Sequence, residues 1–189
     1  MKHRILITLL LFAGLSCKAQ RTITLEQAYE YRKSDEGLPD DISYVKDTNN
    51  RLDQFVGVWK GTYKGKSYEF RFEKKIKFGE YSVKWDKVIG RVLIKDSNNQ
   101  IVYNTLNEPE NEISLSGINL QRNTYMLDFV ANSYCNDFGV VFIEVRNNNT
   151  NEMTLYFDRD KTWYDPRKCP DFDNYVPLLP QEKMILTKH

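Results

Sequence analysis

The chain has 189 residues, with 27 Lys and Arg against 26 Asp and Glu and a formal net charge of +1. Two of the positive charges, Lys2 and Arg4, lie in a predicted export signal, which leaves 25 positive against 26 negative charges in the mature chain. A nucleic-acid partner needs clustered basic charge, so this balance excludes one. The two histidines are His3, in the signal, and His189, the last residue. Without an internal histidine, the usual Ser-His-Asp triad, Cys-His pair and His-based zinc site are excluded.

The composition favours a single all-β domain. Removal of the signal leaves about 170 residues, the usual size of one domain. Aromatic residues make up 13% of the chain, with 12 Tyr and 10 Phe, and such residues favour strands.

Residues 1–19 have the pattern of an export signal, with a basic start and an apolar stretch at 5–15 that is too short to span a bilayer. Two cleavage sites compete. Residues 14–17 resemble the lipobox of bacterial lipoproteins, in which Cys17 is lipid-modified and anchors the protein, although Gly14 stands where leucine is usual. Ordinary cleavage after Ala19 would instead release a soluble exported protein. The predicted address is the bacterial cell envelope, on the periplasmic or outer-membrane face.

Two cysteines, Cys135 and Cys169, remain after either cut. An even pair of cysteines in an exported chain predicts a disulfide. Metal ligation or a nucleophilic thiol would need a histidine or further thiols, which the mature chain lacks outside its last residue.

A short helix is predicted from Thr24, because Thr24 and Gln27 have the spacing of a capping box. Gly37 and Pro39 end this helix, and residues 40–54 form a polar lead-in. Apolar or aliphatic-stemmed side chains recur at helical spacing at Leu25, Ala28, Tyr29 and Arg32.

The strongest strand signal lies at residues 66–78, where apolar and polar side chains alternate. A strand at 57–63 precedes it through a tight turn. After it, the alternation that includes Trp85 changes parity, which predicts a bulge or turn near Asp86 and Lys87. The side chains predicted to share the buried face are Tyr68, Phe70, Phe72, Ile76 and Phe78.

Further short strands and frequent turns predict an all-β fold, an antiparallel up-and-down barrel of about 8–10 strands with one N-terminal helix. The predicted organisation is a signal at 1–19, a helix and lead-in at 20–54 and a barrel domain at 55–189. The remaining predicted strands are 101–105, 113–120, 124–130, 138–145, 152–157 and 183–188.

The spacing of Gly57 and Trp59 at the start of the first barrel strand resembles the lipocalin signature. That resemblance implies that Trp59 packs across the closed bottom of the barrel and that a basic residue of the last strand, Lys183 or Lys188, covers it. The chain also resembles a family of small Gram-negative bacterial lipoproteins of unknown function, which implies an address and a fold but no activity. The stretches that carry this second resemblance are 16–20, 45–50, 55–61 and 184–187.

Residues 158–182 form an unusual excursion that is rich in proline and aromatic residues. Long segments of this kind in a compact domain are generally functional or disordered, and a disulfide at Cys169 argues against disorder. Two interpretations stay open. Trp163, Tyr164 and Tyr175 either contact a protein or glycan partner or plug one end of the barrel against the segment around Tyr134.

The predicted function is non-enzymatic, with no cofactor and no metal. One hypothesis is a barrel that binds a small apolar or amphipathic ligand, and the alternative is an interaction module that uses the excursion. A carboxylate-based hydrolase is a third hypothesis. A void would support the first hypothesis, whereas a filled core with Trp163 exposed would support the second. The side chains predicted to line such a void are Tyr68, Phe70, Phe72 and Trp85.

Overall fold

The structure is a computed structural model that describes residues 20–34, 37–79, 81–160 and 166–189. Cys17, Trp163 and Tyr164 therefore lie outside the described residues. No helix in these ranges is long and apolar enough to cross a membrane. The helix and strands are β1 (Arg21–Thr24), α1 (Leu25–Lys33), β2 (Ile42–Lys46), β3 (Gly57–Tyr63), β4 (Lys66–Phe78), β5 (Lys84–Lys95), β6 (Ile101–Asn104), β7 (Leu115–Gln121), β8 (Thr124–Asn132), β9 (Asp137–Arg146), β10 (Asn149–Arg159) and β11 (Met184–Lys188).

Eight of these strands form a closed antiparallel barrel in the order β5-β4-β3-β11-β10-β9-β8-β7. The barrel closes where β7 pairs with β5, through Ile89 with Ser116 and Gly90 with Leu115. β6 extends the same edge of β5, and β1 and β2 add parallel strands beside its start. The predicted all-β, lipocalin-like barrel is confirmed.

Close packing at the closing pair depends on the absence of a side chain at Gly90. A Cβ atom there would lie 2.7 Å from the ring of Phe72 and 3.1 Å from the Cβ of Leu115. Contacts this short force a neighbour to move, so Gly90 allows β4, β5 and β7 to meet around the Phe72 ring.

The predicted helix α1 is present, and its capping box is confirmed. The Gln27 amide donates to Thr24 Oγ1 at 3.2 Å, and the Thr24 amide donates to Gln27 Oε1 at 2.9 Å. α1 lies beside the β7–β8 turn, and the short helical turn Asp53–Phe55 buries Phe55, whose ring stacks on Tyr125 at 5.5 Å. We call this the helix end of the barrel.

Trp59 closes the barrel at the helix end, as the lipocalin resemblance implies. Its indole is buried and donates to the Phe55 carbonyl at 2.8 Å, and the Lys188 ammonium lies 5.2 Å from the ring centroid. Of the two predicted lysines, Lys188 therefore covers the tryptophan and Lys183 does not. Gly57 has a φ of 131°, and a Cβ there would lie 2.9 Å from Lys188 Cε.

The prediction that Ile76 faces the core is wrong. A bulge between Lys75 and Phe78 interrupts the pairing of β4 with β5, and Lys77 within it has a φ of 51°. The extra residue turns the Ile76 side chain outward, where it is 60% exposed.

The apolar parity does not change within β5. The predicted bulge near Asp86 and Lys87 lies instead in β4, which places Ile76 and Lys77 opposite Asp86. β5 continues through this point, and Asp86 occupies the same face as Val88, a position that alternation assigns to an apolar residue. Trp85 consequently lies on the opposite face, half-buried, with the Arg32 guanidinium 5.3 Å from its ring centroid. Trp85 therefore does not line the barrel interior.

Asp86 is buried because its carboxylate satisfies three donors. The Tyr44 hydroxyl donates to it at 2.5 Å, and the amides of Asp47 and Lys77 each donate at 3.0 Å. The Lys77 amide belongs to the β4 bulge, so Asp86 joins the bulge to the lead-in strand β2.

We expect Asp86→Asn to lower the free energy of unfolding by about 2 kcal/mol, because an amide replaces a carboxylate that accepts three hydrogen bonds in a buried place. Urea unfolding followed by tryptophan fluorescence measures the change. Asp158→Asn makes the same substitution at an exposed position and should have little effect. Equal stability of the two variants would contradict the assigned role of Asp86.

Candidate functional site

The barrel interior is filled around the aromatic side chains of β4. Phe70 has no exposed surface, and its ring stacks between Tyr68 and Phe72 at centroid distances of 6.4 and 5.8 Å. Phe129 and Phe157 meet edge to face at 5.4 Å in the same core. A side chain without accessible surface has no water-sized void beside it, so these rings pack the core and do not line a chamber.

The other end of the barrel, which we call the stapled end, is built around a disulfide. Cys135 and Cys169 are buried and bonded, with Cα atoms 5.3 Å apart across 34 residues of sequence. Asn132 holds the first cysteine in place, because its side-chain oxygen accepts hydrogen bonds from the amides of Tyr134 and Cys135. The disulfide fastens residues 166–183, which we call the cap, to the turn between β8 and β9.

Arg159, at the end of β10, joins the cap to that turn. Its guanidinium donates to the carbonyls of Asn136 and Cys135, each at 2.7 Å. The same group lies 5.7 Å from the Phe172 ring centroid and 5.8 Å from that of Tyr175. One cation thus orients two aromatic rings of the cap and two carbonyls of the barrel.

Asp137, the first residue of β9, is a buried carboxylate beneath the cap. Its Oδ2 accepts from the Tyr175 hydroxyl at 2.9 Å and from the Leu178 amide at 3.1 Å. Its Oδ1 is buried and, within the described part of the chain, has no hydrogen-bond partner. Burial raises the pKa of Asp137, and the two donors oppose that rise only in part.

Aliphatic side chains of the cap plug the barrel mouth. Leu179 and Pro180 are buried, and the Tyr68 hydroxyl donates to the Leu178 carbonyl at 3.4 Å. Burial at this place raises the pKa of Tyr68 to about 12. Tyr175 is half-buried and directed toward Asp137, so it braces the cap from within.

The outer surface of the cap exposes apolar side chains. Val176 is 69% exposed beside a notch of 250 Å³ between the cap and the β3–β4 turn. Lys64 and Glu182 form an ion pair of 3.1 Å at that notch. Tyr134 is also exposed, next to the disulfide, with the Lys168 ammonium 4.3 Å from its ring centroid.

A groove of 740 Å³ lies on the outer face of β3, β4 and β11. Its carboxylate, Glu69, is paired with Arg71 at 2.7 Å and with Lys60 at 3.5 Å. The hydrogen bond from Arg71 holds the pKa of Glu69 below its usual range. Glycoside hydrolysis needs a general acid with a raised pKa, so Glu69 is unsuited to that role.

In the ranges that the structure describes, there is no group of three or more His, Cys, Asp or Glu side chains that could hold a metal ion. His189 lines the outer groove, and its backbone amide donates to the Val58 carbonyl at 2.9 Å.

Sequence reasoning identified the disulfide but missed its supports. Neither Arg159 nor Asp137 belongs to a sequence motif. The only signals in the sequence are that Asp137 lies two residues after Cys135 and that Arg159 lies at the start of the excursion. Trp163 and Tyr164 lie outside the described residues, so both interpretations of these rings, as partner contacts and as a plug of the barrel, stay open.

Comparison with known proteins yields one match. Residues 1–169 match a family described as "Family of unknown function (DUF6705)". Searches of curated proteins and of solved structures each found no match.

We expect the free energy of unfolding of Asp137→Asn, relative to that of the wild type, to fall as pH falls from about 7 to about 4. The raised pKa means that the folded state favours the protonated carboxyl, so its stabilising contribution is present at acid pH and is lost as pH rises through the folded pKa. The amide does not titrate and avoids that loss.

Urea unfolding of both proteins across this pH range measures the difference, with Asp158→Asn as the matched substitution at an exposed site. A difference that is constant with pH, or that grows on acidification, would contradict the assignment.

Proposed function

Because the chain belongs to this family of unknown function, whose description assigns no activity, we propose a role from the geometry of the barrel. The protein is a non-enzymatic, exported interaction module that recognises a protein partner through the outer surface of the cap. The observation that carries this proposal is the filled interior around Phe70, which leaves the exterior as the place for recognition.

The rigidity of the cap supports the proposal. The disulfide, the Arg159 contacts and the hydrogen bonds to Asp137 hold residues 169–178 in one arrangement before any partner arrives. A surface that is ordered in advance loses less conformational entropy on binding, which favours affinity.

The chemistry of the surface favours a protein over a glycan. Val176 is aliphatic and strongly exposed on the cap, and Tyr134 exposes an amphipathic ring next to Cys135 of the disulfide that fastens the cap. Aliphatic and tyrosine anchors surrounded by charged groups such as Lys64 and Glu182 are typical of protein interfaces. A ligand inside the barrel would instead require Leu179 and the Phe70 core to move apart.

The proposal includes attachment to a bacterial envelope membrane through a lipid on Cys17. The apolar stretch at 5–15 and the lipobox-like residues 14–17 support it. The Cys135–Cys169 bond supports export, because disulfides persist in oxidising compartments.

A photo-crosslinking amino acid at position 176 tests the partner proposal in the native envelope. We expect a discrete crosslinked protein, identified by mass spectrometry, whose yield falls at least about tenfold when Tyr134→Ala weakens the contact. The matched control is position 101, where Ile101 is 61% exposed on β6. Equal crosslinking at positions 176 and 101 would contradict recognition through the cap.

Cys17→Ser tests the anchor. We expect loss of fatty-acid labelling and a shift of the protein from the membrane pellet to the soluble fraction, because a double acyl anchor provides stable attachment. A Cys135→Ser, Cys169→Ser variant should keep the label, since it retains Cys17. A Cys17→Ser protein that still incorporates palmitate would disprove the anchor.

A further inference from the structure

Gln20, the first described residue, lies at the helix end of the barrel. The Arg21 amide donates to the Asp41 carbonyl at 2.8 Å, and β1 and β2 run parallel beside the start of β5. Gln20 lines a depression of 270 Å³ together with Ser82 and Val83, which belong to the β4–β5 connection. The chain therefore enters the barrel next to this connection.

We propose that the β4–β5 connection at the helix end rests on the surface of the lipid bilayer, with Tyr81 and Ile76 as its contacts. This inference rests on the proposed lipid at Cys17. Two residues, Lys18 and Ala19, separate Cys17 from Gln20, and an extended chain spans at most about 10 Å between the Cα atoms of residues 17 and 20. A lipid at Cys17 therefore holds the β4–β5 connection close to the membrane surface.

The side chains at this place suit a bilayer surface. Tyr81 is 85% exposed, and the β4 bulge turns Ile76 outward to 60% exposure. Tyrosine is enriched at membrane interfaces, where its ring lies among the lipid headgroups and its hydroxyl meets water. An exposed tyrosine and isoleucine near an anchor thus gain free energy from contact with lipid.

Two lysines flank these residues. Lys84 donates to the Gly79 carbonyl, and the Lys77 ammonium lies 5.3 Å from the ring centroid of Tyr44. Asp40 and Asp41 line the same depression as Gln20, so the contact depends on the exposed apolar side chains and not on net positive charge. The β4 bulge exposes Ile76 and thereby contributes to this contact.

With the helix end on the bilayer, the cap lies at the end of the barrel that faces away from the membrane. β10 runs between the two ends of the barrel, and its 11 residues span about 36 Å at 3.3 Å per residue before any tilt. The stapled end then faces a partner on the aqueous side.

Spin-label accessibility in vesicles tests the orientation. The full lipoprotein is reconstituted into vesicles of phosphatidylethanolamine and phosphatidylglycerol, with a nitroxide on a cysteine introduced by Tyr81→Cys or, as the control, by Val176→Cys. The native Cys135 and Cys169 are bonded to each other, so they do not compete for the label. We expect relaxation by a water-soluble nickel complex to fall about threefold at position 81 on reconstitution and to stay unchanged at position 176.

The intact mass of the same preparation separates the two proposals. Acyl groups at Cys17, with equal nickel accessibility at positions 81 and 176, would overturn the orientation alone. Shielding at position 176 instead of 81 would also overturn it. A mature chain without acyl groups that begins at Gln20 would overturn the anchor and, with it, the orientation.

Discussion

The barrel depends on the contact between β5 and β7, which closes the sheet through two residue pairs. At that contact Gly90 lets the Phe72 ring lie against the strand, so a Cβ there would separate the strands that close the barrel. Closure of the eight strands into a barrel brings their inward side chains together and leaves Phe70 without accessible surface. Trp59 at one end and Leu179 at the other then seal a solid core, which is why we propose that recognition occurs at the exterior.

Local signals in the sequence predicted much of this fold. The capping box of Thr24 and Gln27 depends on residues three apart, and the alternation along β4 depends on a period of two, so both are visible without tertiary information. The Trp59 signature predicted a covering cation, which is Lys188. The disulfide followed from an even number of cysteines in an exported chain.

The features that sequence reasoning missed depend on partners far away in the chain. Alternation assigned Ile76 to the core, but the bulge that exposes it is stabilised by Asp86, which also binds β2. The parity prediction failed because a buried carboxylate occupied a core position. Arg159 and Asp137, which hold the cap, acquire their roles only when β9, β10 and the cap meet. No local sequence pattern encodes such tertiary contacts.

The barrel is filled, and we propose that binding occurs outside it. Native mass spectrometry of the protein purified from its host envelope tests this most directly, because it weighs the folded chain with whatever it retains. We expect the mass of the chain with its covalent modifications, alone or together with a protein partner. A small apolar molecule retained non-covalently at one per chain would contradict it, since the core around Phe70 has no room for one.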